Sequence, residues 1–171
     1  MRKMKQALVF ISVLFVFVLS SCLDKNTDER TKETELQELD QYLNDLINNG
    51  HNIDTTDLGI YYIRIDTGEG EFPKQGDTLK IGYAGYFIDG SLFDTSEFNV
   101  EDGAYTFKFI HDPMIPGFED GLKLMNEGSK MQLIIPSEFA YGANGSAQIP
   151  KYASLIFVTR MLDIKPVAET D

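Results

Sequence analysis

The chain of 171 residues carries 15 Lys+Arg against 27 Asp+Glu, a formal charge of −12. A surface this acidic repels phosphate backbones and anionic head groups alike, which excludes nucleic acid as a partner and leaves charge no part in membrane attachment. Apolar residues at 43% and aromatics at 12% are enough for one core and one globular domain, and the single cysteine, Cys22, excludes an intrachain disulfide.

Arg2, Lys3 and Lys5 precede an apolar run from Ala7 to Leu19, the arrangement of an export signal. The run falls short of the ~20 residues that a spanning helix needs. Leu19-Ser20-Ser21-Cys22 resembles the lipobox of bacterial lipoproteins, in which the cysteine is acylated and becomes the mature N-terminus; the other reading is an ordinary signal peptide with an incidental cysteine. Residues 1–21 are therefore expected to be a signal peptide and Cys22 the lipid anchor. Their removal takes away three basic and no acidic residues, leaving 12 against 27, or −15.

Residues 22–33 are polar, charged and without periodicity, as in a flexible tether. Over 34–50, Leu36, Leu39, Leu43 and Leu46 draw one apolar stripe down an amphipathic helix that stops at Asn48-Asn49-Gly50. Such a stripe must be covered, either by the main domain or by a second copy of the helix.

The region 54–166 is expected to be the main domain. Its texture changes to short β-type runs punctuated by glycine, proline and aspartate: 60–65, 79–88, 105–110, 130–135 and 154–165. Asp89-Gly90 suits a two-residue hairpin turn leading into Leu92-Phe93. One segment, 116–126, breaks the pattern. Pro116 opens it, Glu119 and Asp120 favour its first turn, and Phe118, Leu122 and Met125 share a face, so it is predicted to be a short helix. The expected class is α+β, an antiparallel sheet wrapped around one short helix.

Taken in order, Tyr83-Ala84-Gly85, Asp89-Gly90, Phe93-Asp94-Thr95-Ser96, Phe107-Lys108-Phe109, the run from Ile115 to Gly121, the run from Ile134 to Gly142, Ile149-Pro150 and Ser154-Leu155-Ile156-Phe157 resemble the FK506-binding-protein (FKBP) class of peptidyl-prolyl cis-trans isomerases. The resemblance runs from about Gly59 to Lys165. It implies a shallow aromatic slot between sheet and helix, with Tyr83, Phe93, Asp94, Tyr141 and Phe157 as the catalytic set. Phe107, Met114, Ile115, Phe118 and Ile149 would complete the substrate contacts. The implied hydrogen-bond donors to substrate are the Ile115 N–H and the Tyr141 hydroxyl, and Asp94 is expected to accept from Tyr83.

Beside those roles stand plainer ones: core packing for Phe93, Phe107, Phe118 and Phe157, a loop-anchoring corner for Tyr141, and satisfaction of turn backbone for Asp94. The sequence also departs from the family pattern. Phe118 stands where tryptophan is common, the segment from Glu97 to Thr106 is longer than in the smallest members, and those from Ile110 to Met114 and from Gly142 to Ile149 are shorter.

Elementary chemistry suits the implied activity. An X-Pro bond is held by a resonance barrier of ~18–20 kcal/mol while its isomers differ by only ~0.5–1 kcal/mol, so no bond need break. A dry aromatic slot disfavours the charge-separated planar amide more than the twisted one. No cofactor or metal is called for, and His51 and His111 have no metal-ligand spacing. The expected protein is a monomeric, lipid-anchored isomerase of the cell envelope, at the outer membrane or on the periplasmic face. It would act on proline-containing polypeptides during folding of exported proteins and be inhibited by FK506-type macrolides. The alternative is a docking module of an envelope machine with weak or no isomerase activity.

Overall fold

The computed structural model describes residues 30–99 and 103–168; the expected signal peptide, most of the expected tether and Cys22 lie outside them. Seven strands form one antiparallel sheet: β1 (Asp54–Thr55), β2 (Tyr61–Asp66), β3 (Thr78–Phe87), β4 (Leu92–Thr95), β5 (Tyr105–Lys108), β6 (Lys130–Ile135) and β7 (Leu155–Lys165). Their order across the sheet is β1-β2-β6-β7-β3-β4, with β5 also paired to β3. Helices α1 (Lys32–Asn48), α2 (Ser96–Asn99) and α3 (Pro116–Leu122) accompany them.

Side chains alternate across a strand, and here the alternation sorts the two faces cleanly. Leu133 and Ile135 of β6, Leu155, Phe157 and Met161 of β7, and Leu79 and Ile81 of β3 join the main core with Phe118 and Leu122 of α3. Ile134 and Ile156 point the other way, into a second cluster with Leu39 of α1. The sheet is thus apolar on both faces where helices cover it, which is why β6 and β7 read as nearly continuous apolar runs.

Two glycines one turn apart bring α3 flush against the sheet. A Cβ on Gly117 would stand 2.4 Å from Ile135 Cγ2, and one on Gly121 2.4 Å from Leu133 Cδ1. Only hydrogen fits at either position, so the helix lies close enough for Phe118 to reach the rings of the sheet.

Helix α1 docks on the opposite face of the sheet, which covers the stripe by the main domain. Leu39, Leu43 and Leu46 pack with Ile134, Ile156, Tyr61 and Tyr86. The start differs from expectation: Thr31 is the N-cap, its hydroxyl accepting from the Thr34 N–H at 3.2 Å, so the helix begins two residues before Thr34. The stripe differs as well, since Leu36 is 51% exposed and Glu35 is fully buried in its stead.

Three further boundaries move for local reasons. The hairpin after β3 has three residues rather than two: Phe87 N–H donates to Ser91 O at 2.9 Å, and Gly90 takes φ +85° as the left-handed member of the turn. Strand β5 ends at Lys108 because Phe109 N–H turns to Asp77 O at 2.8 Å and Ile110 has φ 54°. Helix α3 ends at Leu122, although Met125 beyond it is still fully buried.

Candidate functional site

The pairing of β3 with β4 carries an irregularity that sequence patterning does not reveal. Ala84 faces Thr95 and Gly85 faces Asp94, but Tyr86 faces Leu92, so Phe93 is the extra residue of a bulge. In a regular strand Phe93 and Asp94 would point to opposite faces; a bulge re-aims the side chains beside it. Here both serve the concave side. The Tyr83 hydroxyl donates to Asp94 Oδ2 at 2.9 Å, while the Phe93 ring meets Phe157 edge-on with centroids 5.6 Å apart. Asp94 is thereby a hydrogen-bonded carboxylate among aromatic rings rather than a stranded charge. The Thr95 hydroxyl fixes the next residue by donating to Tyr83 O at 2.9 Å.

Around this pair the rings form a continuous set. Phe118 lies 4.7 Å from Phe157 and 6.2 Å from Tyr83, and Tyr83 meets Tyr105 edge-on at 6.2 Å, all between centroids. These tilted and T-shaped arrangements are the favourable ones for aromatic quadrupoles. They enclose a cavity of about 220 Å³ lined by Tyr83, Asp94, Tyr105, Pro113, Met114, Ile115, Phe118, Tyr141 and Phe157.

Seven of the ten residues singled out in the sequence line that cavity together: Tyr83, Asp94, Met114, Ile115, Phe118, Tyr141 and Phe157. Three stand outside its lining. Phe93 buttresses Phe157 and Phe87, Phe107 is buried behind Tyr105 with ring centroids 5.4 Å apart, and Ile149 of the β6–β7 loop is buried in the main core. Tyr105 and Pro113 were missed. Tyr105 shares its face of β5 with Phe107, so strand alternation was the signal that could have found it.

Polar groups at the rim are available for a ligand. The Tyr141 side chain is 40% exposed. Among the described residues its hydroxyl has no hydrogen-bond partner, and the Ile115 N–H at the head of α3 finds no acceptor. Nearby, Asp112 accepts from the Lys108 N–H at 2.8 Å, which together with His111 holds its carboxyl below the usual carboxylate range and closes the turn that leads to Pro113.

A larger cavity, about 510 Å³, opens between Arg30 and Glu38 of the α1 side, the β3–β4 turn and the segment Pro150 to Ser154. Its charged members are already engaged, Arg30 Nη1 donating to Glu38 Oε1 at 3.2 Å and Asp89 Oδ1 accepting from the Ser91 N–H at 2.8 Å. The smaller cavity is the better candidate because it joins a dry aromatic wall to a few convergent polar groups.

Comparisons with known proteins identify the family and the fold. The family profile described as FKBP-type peptidyl-prolyl cis-trans isomerase matches residues 69–162. FkpA of Escherichia coli K12, an FKBP-type peptidyl-prolyl cis-trans isomerase, is 39% identical over 119 residues, covering 70% of this chain and 43% of its own length. The FKBP-type 22 kDa peptidyl-prolyl cis-trans isomerase of the same strain is 37% identical over 113 residues, covering 66% of this chain and 53% of its own. This chain thus spans about half the length of these relatives. The crystal structure of E. coli FkpA matches with TM-score 0.69 at 34% identity over 80% of this chain and 61% of that one. A peptidyl-prolyl isomerase structure from Pseudomonas syringae pv. tomato shares the fold, with TM-score 0.66 at 24% identity over 80% of this chain and 98% of that one. With more than half of its length matched by the family profile, the chain belongs to the FKBP-type peptidyl-prolyl cis-trans isomerases.

Proposed function

We propose that the protein catalyses cis-trans isomerisation of X-Pro bonds in exported polypeptides, with the cavity between α3 and the sheet as its substrate site. The observation that carries this reading is the convergence of the Tyr83–Asp94 hydrogen bond with the rings of Phe118, Phe157 and Tyr105 around one small cavity. Proline enters the aromatic walls and the imide loses its water. The planar amide, with charge spread onto its oxygen, is then poorly solvated, whereas the twisted amide has given up that charge separation and suffers less.

In this mechanism no residue transfers a proton. Asp94, fixed by Tyr83, presents a negative edge to the carbonyl carbon, and the Tyr141 hydroxyl and Ile115 N–H donate to peptide carbonyls on either side of the rotating bond. Phe93 and Phe107 act from behind the wall by holding Phe157 and Tyr105 in place. FK506-type macrolides, which present a comparable apolar ring and carbonyls, are expected to compete for the same site.

The test is an NMR exchange or protease-coupled assay on X-Pro peptides with varied X. Acceleration that depends on X and is abolished by a macrolide supports the reading. Macrolide or peptide binding without acceleration would instead favour the docking module.

The export signal and Leu-Ser-Ser-Cys sequence support attachment through an acyl group on Cys22, outward from the inner membrane. Among the described residues no helix is long and apolar enough to cross a membrane. The segment between Cys22 and Thr31, the N-cap of α1, then tethers the isomerase domain near the lipid surface, where newly exported chains pass. Mass spectrometry of the mature N-terminus decides the point: an unmodified Cys22, or cleavage elsewhere, overturns it.

A further inference from the structure

We propose that Glu35 of α1 is a positioning residue for the isomerase site, acting through Ser137 on the loop that carries Tyr141. The inference rests on the functional reading above only for its kinetic arm.

The carboxylate is fully buried and ties together the two ends of one loop. Glu35 Oε1 accepts from the Ser137 N–H at 2.5 Å and from the Ser154 hydroxyl at 2.7 Å, and Oε2 accepts from the Ser137 hydroxyl at 2.7 Å. Ser137 follows the end of β6 and Ser154 precedes β7, so a single side chain spans both stems of residues 136–154. Inside the loop the restraint continues. Ser137 O accepts from the N–H groups of Ala140 and Gly142, at 2.9 and 2.8 Å, and these residues flank Tyr141. Gly142 O in turn accepts from the Tyr152 N–H at 2.8 Å.

Two outer ties to the same loop come from Lys32 of α1 and from Arg30 just before the helix. Lys32 Nζ lies 3.1 Å from Glu35 Oε2 and 3.2 Å from Glu138 Oε1, and Arg30 Nη2 donates to Tyr152 O at 3.4 Å. Residues 137, 138 and 154 are therefore held from α1 and residue 152 from Arg30 just before it, while Tyr141 between these anchors is 40% exposed. A loop restrained in this way owes its position to its stems. No residue of helix α1 lines the cavity, yet the helix fixes the backbone from which the Tyr141 hydroxyl is aimed.

The experiment is a double-mutant cycle on the full chain with a proline tetrapeptide, pairing Glu35→Gln with Tyr141→Phe. Glu35→Gln is expected to lower kcat/KM about fivefold alone but less than about twofold in the Tyr141→Phe background, because the hydroxyl it positions is then gone. The Tyr141 ring resonances of ¹³C-labelled protein should shift or broaden in Glu35→Gln while those of Tyr83 and Tyr105 stay in place. Ser154→Ala, which removes one donor and leaves the charge, is expected to show the same coupling at smaller amplitude and decides the matter if Glu35→Gln does not fold. Equal losses in both backgrounds with an unmoved Tyr141 resonance would reduce Glu35 to a helix-docking residue and overturn the proposal. If the wild type fails to isomerise peptides, the functional reading falls and the Tyr141 resonance alone judges the clamp.

Discussion

Phe93 occupies the space that a side chain on Gly85 would need: a Cβ there would stand 2.7 Å from Phe93 Cζ and 3.1 Å from Phe157 Cε1. Gly85 lies opposite Asp94 on one side and Phe157 on the other, so its missing side chain is what admits both rings to the concave face. Gly85→Ala is expected to keep the fold, because the Phe93 ring can swing outward at an overpacking cost of about 1–3 kcal/mol. The displaced wall should still lower kcat/KM about tenfold. Thermal melts beside peptide kinetics check this, and an unchanged kcat/KM would show that Phe93 and Phe157 do not shape the site.

Truncating the wall should cost more than removing a hydroxyl. Phe93→Ala and Asp94→Val are each expected to lower kcat/KM about tenfold or more, at least ~1.4 kcal/mol of transition-state stabilisation, and Tyr141→Phe less. Circular dichroism must first show each variant folded, since Phe93 also packs on Phe87 with centroids 4.9 Å apart. No histidine lines the cavity, so the wild-type rate should be flat from about pH 6 to 8. A titration centred near the middle of that range would call for a different mechanism.

Macrolide affinity should respond to residue 118. Phe118 is 6% exposed and floors the cavity against Phe157. Phe118→Trp adds aromatic area worth ~1 kcal/mol, about fivefold in Kd, provided the larger ring is accommodated. Calorimetry with FK506 on both proteins measures it, and equal affinities would mean that the floor does not limit binding.

The docking of α1 should weaken in acid. Burial pushes the Glu35 carboxyl up, but the Ser137 and Ser154 hydrogen bonds and Lys32 outweigh it and hold the group below its ordinary value of 4.5. A carboxyl depressed in the folded state contributes stability that is complete above its unfolded pKa and is lost as pH falls through its folded one. The Tm difference between wild type and Glu35→Gln is therefore expected to be widest above about pH 5 and to narrow steadily toward pH 3. A gap that stays constant over that range would mean that the charge at Glu35 contributes nothing.

Most strands were legible because each is a short β-rich run ended by glycine, proline or aspartate, and α3 because Pro116 and the Phe118–Leu122 spacing interrupt that texture. The cavity lining was legible only through family resemblance. What escaped was long-range. The Phe93 bulge depends on how β4 registers against β3, and no local pattern specifies that. The role of Glu35 was hidden because its partners, Ser137 and Ser154, lie more than 100 residues away. A carboxylate four residues before Leu39, in line with the buried stripe, was the one hint.

The position of β7 bears on how the protein is made. This last strand lies between β6 and β3, so the centre of the sheet closes only when residues 155–165 arrive. Its ten pairings with β3 join segments about 80 residues apart, from Thr78 with Lys165 to Phe87 with Leu155. Such non-local contacts slow folding, and a chain emerging N-terminus first cannot assemble its core beforehand. A domain built this way condenses in one late step, after residues 155–165 have emerged.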